Sequence, residues 1–215
     1  MKNIFKPVLM MMSLAVVAEG SLAAGDAAAG EGKVVMCAAC HGADGNSAAP
    51  NFPKLAGLGE KYLTKQMMDI KSGARNVPEM TGMLTALSDQ DIADIAAFFA
   101  GKTMQLSGSK EMQVQVNSGA QVDALALGEE LYRAGKASVG VPACTGCHSP
   151  KGLGNAPAGY PRVSGQHAAY VEKQLKDFRA GNRTNDGDTK IMRSVAANLS
   201  DADIAALANY IAGLN

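Results

Sequence analysis

An internal duplication constrains this chain more than any other feature. Residues 52–76 (FPKLAGLGEKYLTKQMMDIKSGARN) align without gaps on residues 160–184 (YPRVSGQHAAYVEKQLKDFRAGNRT), and eight of the 25 positions are identical. They are Pro53/Pro161, Gly57/Gly165, Tyr62/Tyr170, Lys65/Lys173, Gln66/Gln174, Asp69/Asp177, Gly73/Gly181 and Arg75/Arg183. Residues 87–101 (LSDQDIADIAAFFAG) align on 199–213 (LSDADIAALANYIAG) with nine of 15 identical. Between these blocks the second copy carries four extra residues, around Asn185 to Asp188. Two copies of one unit, each of small-domain size, predict two domains of the same fold.

Each copy predicts helices joined by long loops. An opening helix begins near Ala28 and near Ala126 and leads towards a cysteine motif. A middle helix follows, with Leu63, Met67 and Ile70 at i, i+4, i+7, matched by Val171, Leu175 and Phe178. A closing helix starts at Ser88 or Ser200 as N-cap, with Asp91 or Asp203 three residues on in capping-box manner. Its buried stripe is Ile92, Ile95, Ala96 and Phe99 in one copy, and Ile204, Leu207, Ala208 and Ile211 in the other. Gly101 and Gly213 end it. No run alternates convincingly enough for a strand, so the fold class is all-α. Residues 102–123 (KTMQLSGSKEMQVQVNSGAQVD) have no counterpart in the repeat and predict an interdomain linker, long enough to wrap across both domains. The domains are then residues 24–101 and 124–215.

Cys37-Ala38-Ala39-Cys40-His41 and Cys144-Thr145-Gly146-Cys147-His148 use every cysteine of the chain and two of its three histidines. Cys-x-x-Cys-His is the attachment pattern of c-type haem. Residues i and i+3 share one face of a helical turn, so two thiols can reach the two vinyl groups of one porphyrin. The histidine that follows can turn its imidazole onto the iron. Two other readings of the cysteines exist: a redox dithiol, and a single four-cysteine zinc site. The zinc reading leaves both histidines unexplained, and the dithiol reading expects a strand–helix context that is missing here. Two covalent haems c, on Cys37/Cys40 and Cys144/Cys147, are therefore expected.

The opposite face of each ring decides between carrying electrons and doing chemistry. A thioether there closes the site, favours reduced iron and raises the potential. The second copy holds a single methionine, Met192, seven residues before Leu199. Seven before Leu87 is Met80, whereas Met83 aligns with Val195 and reads as a packing residue. Met67 belongs to the middle-helix stripe, Met36 abuts the cysteine motif, and Met104 and Met112 fall in the linker without a partner. The expected axial pairs are His41 with Met80 and His148 with Met192. His167 aligns with Gly59 and reads as a surface histidine outside the repeated machinery. Arg75/Arg183 and Lys65/Lys173 read as exposed helix charges, with haem propionates as their alternative partners. The segments at Pro50 and Ala158 offer a backbone carbonyl to the other nitrogen of His41 or His148.

The first residues supply a compartment. Lys2 and Lys6 precede an apolar run from Pro7 to Ala18, and Ser21-Leu22-Ala23 provides small residues for cleavage after Ala23. The run is well short of the roughly 20 residues a spanning helix needs. A cleavable leader, residues 1–23, and a periplasmic mature protein follow. The chain holds 20 Lys/Arg against 20 Asp/Glu, a balance that does not suggest nucleic-acid binding. The balance is uneven along its length: residues 24–101 carry six basic and nine acidic side chains, residues 124–215 ten and eight. Such a dipole can orient a protein on charged redox partners.

With these motifs, the stretches CAACHGADGNS, APNFPKLAG, EMTG, PACTGCHSP and RTNDGDTKIM resemble the cytochrome c4 family across essentially the whole mature chain. The resemblance implies two tandem class I cytochrome c domains with His/Met haems facing each other across the domain interface. It implies an electron carrier with no substrate of its own, passing electrons from a respiratory donor such as a quinol-oxidising complex to a terminal oxidase. Any membrane association would then run through those partners. Two alternatives stand beside it: an electron-transfer subunit of a larger dehydrogenase, of flavocytochrome type, and a di-haem peroxidase, which needs one open iron.

Overall fold

The computed structural model describes residues 24–215; the expected leader and its cleavage point lie outside them. The first unit contains α1 (Ala27–Glu31), α2 (Val35–His41), α3 (Glu60–Ser72), a 3₁₀ turn at Pro78–Met80 and α4 (Asp89–Ala100). The second contains α5 (Ala124–Ala134), α6 (Thr145–His148), α7 (Ala168–Ala180), α8 (Ile191–Ala196) and α9 (Asp201–Gly213). Both closing helices begin with a complete capping box, Ser88 with Asp91 and Ser200 with Asp203, each serine hydroxyl accepting the N3 amide and each aspartate accepting the N-cap amide. Their apolar stripes are buried as the periodicity requires. Both middle helices end at a repeated glycine in the left-handed region, Gly73 at φ 82° and Gly181 at φ 77°.

Opening and closing helices cross at a glycine in each unit. A β-carbon on Gly30 would lie 2.2 Å from the Asp94 carbonyl oxygen, and one on Gly128 would lie 2.3 Å from that of Ala206. These contacts let α1 lie against α4 and α5 against α9 at backbone distance. A second repeated tie joins the middle helix to the start of the closing one. Lys71 donates to the Leu87 carbonyl at 2.7 Å and pairs with Asp89; Arg179 donates to the Leu199 carbonyl at 2.8 Å and pairs with Asp201. Each unit has its own core, one centred on Leu63, Ile95 and Phe99, the other on Tyr132, Ile204 and Leu207.

The helical class holds, with one addition. Gln113–Gln115 (β1) and Gln121–Asp123 (β2) pair antiparallel, Val114 opposite Val122. Three residues per strand are too few for alternation to announce them. Tertiary burial secures the hairpin instead: Val114 packs with Ala124, Ala202 and Ala206. The preceding stretch runs along both units. Asn46 brackets it in the first, accepting from the Gln105 amide at 2.8 Å and donating to the Thr103 carbonyl at 3.0 Å. Asn209 does the same on α9, accepting from the Lys110 amide and donating to its carbonyl. Met104, which has no repeat partner, is buried in the first core because the chain runs back over that unit before crossing.

Two outcomes follow from this packing. Gly128→Ala should lower stability by roughly 1–3 kcal/mol through overpacking of the α5–α9 crossing, measurable by denaturant unfolding. The second concerns acid. Asp94 accepts from Lys33 Nζ at 2.7 Å, from the Asp26 amide at 2.9 Å and from Gln90 at 2.9 Å, and Lys33 above all holds its carboxyl down to about 2. Its folded pKa lies below the unfolded one, so its contribution is complete above the ordinary carboxylate value of 3.8 and disappears as pH falls towards 2. Asp94→Asn should flatten the loss of stability across that window, as read by thermal unfolding at stepped pH.

Candidate haem sites

In the first unit Cys37 and Cys40 lie on α2, and His41 is the last residue of that helix. In the second, Cys144 is the N-cap of α6, while Cys147 and His148 close it. All four thiols are unpaired. The two cysteine pairs sit in separate units, and among the described residues no group of three or more His, Cys, Asp or Glu side chains assembles a metal site. The four-cysteine zinc arrangement is not formed.

Each motif histidine is locked by a proline carbonyl. His41 Nδ1 lies 2.8 Å from the Pro53 carbonyl and His148 Nδ1 lies 2.9 Å from that of Pro161. A carbonyl only accepts, so Nδ1 carries the proton and Nε2 keeps its lone pair for a metal. Burial lowers the pKa of both rings, which favours the neutral ligand form. The carbonyl therefore comes from Pro53 and Pro161, not from the segments at Pro50 and Ala158. The identical prolines of the repeat were the available signal, since a residue with fixed φ and no N–H suits an extended strap presenting its oxygen. After each histidine the chain turns through positive φ, at Gly42 (78°) and at Ser149 (68°). For Ser149 this is a strained conformation. Fully buried Tyr132, which no sequence motif marks, donates its hydroxyl to the Ser149 carbonyl at 2.7 Å and holds the turn.

A cavity of about 370 Å³ lies against the first motif, and Cys37, Cys40 and His41 line it together with Met80, Met83 and Leu84. Leu63, Met67 and Phe99 complete apolar walls. A largely apolar cavity lined by two thiols, an imidazole and thioethers fits a covalently attached haem. Met83, expected to be packing alone, borders the same slot as Met80. Met36 is 62% exposed, although it too borders the cavity.

In the second unit Met192 is on α8 and packs against the core, as do Cys144, Val163 and Val171. The four extra residues anchor this helix. Asp186 pairs with Arg193 at 2.6 Å and also accepts the Arg193 amide at 2.9 Å. Here the second copy uses an ion pair and an α-helix where the first uses a short 3₁₀ turn.

The cavity opens onto α7 of the second unit, and the rim is where the repeat identities meet. Arg75 donates to Gln66 of its own unit and to Tyr170 and Gln174 across the joint, at 2.8, 3.0 and 3.0 Å. Arg183 mirrors it, donating to Gln174 at 2.8 Å, and across to Gln66 at 2.8 Å and Tyr62 at 3.4 Å. The arginines are not exposed helix charges: Arg183 is 8% exposed, and neither forms a carboxylate ion pair among the described residues. Their charge faces a cavity whose cofactor carries propionates, which strengthens the fit. Lys65 and Lys173 do sit on exposed helix faces and pair with Asp69 and Asp177. Asn185, one of the extra residues, reaches across to Gln66 and Asp69 at 2.9 and 2.6 Å. His167 is not a free surface histidine either. Its Nε2 lies 2.8 Å from the Ser47 carbonyl and its Nδ1 3.0 Å from Ser107 Oγ, so it pins the second unit to the first.

The cytochrome c family model matches residues 27–101 and 125–215. A cytochrome c4 of Pseudomonas aeruginosa is 63% identical over 193 residues, 90% of either chain. The crystal structure of reduced recombinant cytochrome c4 from Pseudomonas stutzeri superimposes with a TM-score of 0.82 at 56% identity, covering 89% of this chain and all of that one. A thiosulfate dehydrogenase electron acceptor of Stutzerimonas stutzeri is 36% identical over 181 residues, 84% of this chain and 79% of its own. The duplicated helical unit, the paired attachment motifs and these likenesses together place the chain in the cytochrome c4 family, the di-haem c-type electron carriers.

Proposed function

We propose that each unit is a haem domain, residues 24–101 and 124–215 joined by residues 102–123, with His41/Met80 and His148/Met192 as axial pairs. The carrying observation is that both motif histidines are locked by equivalent proline carbonyls, with Met80 lining the same cavity as His41 in the first unit and Met192 packed on the same core as Cys144 in the second. The bound haem supplies a one-electron iron couple in each domain. The protein's part is to hold neutral imidazoles rigidly, exclude water with Leu63, Leu84 and Phe99, and offer thioethers that favour the reduced state. Met80 is preferred to Met83 because it occupies the repeat position of Met192.

The carrier works in the periplasm after removal of residues 1–23, taking electrons from a quinol-oxidising complex and passing them to a terminal oxidase. A second reading, acceptor for a dehydrogenase, is favoured by the 36% identical relative named for thiosulfate dehydrogenase. The two readings separate in a reduction assay: quinol-supplied membranes reduce the carrier in the first, a purified substrate dehydrogenase in the second.

Met192→Ala should open the second iron to carbon monoxide and lower its potential, and Met80→Ala should do so at the first. An unchanged spectrum and potential in either variant, or carbon monoxide binding by the native reduced protein, would refute the closed-site assignment. Asp186→Ala should act more mildly. By freeing α8 it should weaken the methionine–iron charge-transfer band of the second haem and leave the first unchanged.

A further inference from the structure

The second domain grips the loop that orients His41, and the grip runs into the His41 hydrogen bond itself. Gln166, buried in the loop before α7, accepts from the Lys54 amide through Oε1 at 2.9 Å and donates from Nε2 to the Lys54 carbonyl at 2.9 Å. A backbone amide only donates and a carbonyl only accepts, so these partners fix which end of the side chain is which. The Lys54 N–H belongs to the same peptide unit as the Pro53 carbonyl, the acceptor of His41 Nδ1 at 2.8 Å. Peptide resonance links its two ends. Accepting the N–H proton moves electron density towards the oxygen and strengthens the next bond in the chain, by about 10–30% in condensed-phase estimates.

We propose that Gln166 is a positioning residue that tunes the first haem from the second domain, through the chain Gln166 Oε1, Lys54 N–H, Pro53 C=O and His41 Nδ1–H. The proposal rests on His41 being an axial ligand. A stronger acceptor at Nδ1 makes the imidazole a better donor, which favours ferric iron and lowers the potential of that site.

The relay runs one way. The repeat offset of 108 residues places Leu58 where Gln166 would stand and Arg162 where Lys54 would stand. The surfaces correspond: Gly165 receives Lys54 Nζ on its carbonyl at 3.4 Å, and a β-carbon on Gly57 would lie 3.7 Å from Arg162 Cδ. A leucine side chain has no hydrogen-bonding atom, so Leu58 cannot polarise the Pro161–Arg162 peptide behind His148. Repacking of the domain joint is thus registered at the first iron, while the second is insulated from it. In a duplicated protein this separates two sites whose ligands are otherwise alike.

The test uses the di-haem protein with Gln166→Leu, the residue that the repeat places at this position. Potentials are resolved for each haem by spectropotentiometric titration, and the ligand Nδ1–H resonances are followed by NMR in the reduced, diamagnetic state. The first potential should rise and the His41 Nδ1–H resonance should move upfield, with the second potential and the His148 resonance unchanged. Unmoved values at the first site, or equal shifts at both, overturn the relay. His167→Ala removes the neighbouring contacts to Ser47 and Ser107 and leaves the Lys54 peptide gripped. If it moves the His41 resonance as far as Gln166→Leu does, general loosening of the joint is responsible and the relay is wrong. Should Gln166→Leu fail to load both haems, Gln166→Met removes the same two bonds at similar volume. Absence of a ligated His41 Nδ1–H in the native protein would overturn the ligand assignment itself. Its presence, unmoved by the variant, overturns the relay alone.

Discussion

Two guanidinium groups at one joint, Arg183 buried and Arg75 half-buried, are the constraint around which the two domains are arranged. Removing a charge from water costs several kcal/mol unless hydrogen bonds and counter-charge replace the solvent. Arg75 and Arg183 meet this demand reciprocally: each is bound by the glutamine of its own domain and by the tyrosine and glutamine of the other. The interface is therefore self-complementary, as in a two-fold dimer, although a single chain supplies both sides. It also places the mouth of the first haem cavity against α7. Relative orientation, closure of the site and positive charge at the rim all follow from one set of contacts.

Departures from that symmetry carry the individuality of each half. Gln166 and His167 replace Leu58 and Gly59 and bind the loop of residues 47–54. The four extra residues near Asn185 add a cross-domain bond to Gln66 and an ion pair beneath the Met192 helix. The two domains share their attachment chemistry and differ in how ligands are braced. Bracing is what sets rigidity and donor strength at a metal.

Much of this was legible in the residues. The motifs named the thiols and histidines, the repeat paired Met80 with Met192, and the capping boxes located both closing helices. Other features depended on distant partners. The carbonyl behind each histidine lay three residues beyond the expected segment, because a loop of irregular backbone has no periodicity to set its register. The hairpin at Val114 depends on cover from α9. Arg75 and Arg183 looked like helix-surface charges, for nothing along a sequence says that two such surfaces will face each other.

The sequence by itself determined the covalent chemistry, the duplication and the helical elements, because attachment spacing, capping and amphipathic period are local properties. Only the tertiary structure decided which carbonyl locks each histidine, which charges are buried, and which domain reaches into the other's ligand loop. The first is a contact across 12 or 13 residues of irregular loop, and the others join residues about 100 positions apart and exist only once two folded surfaces have met.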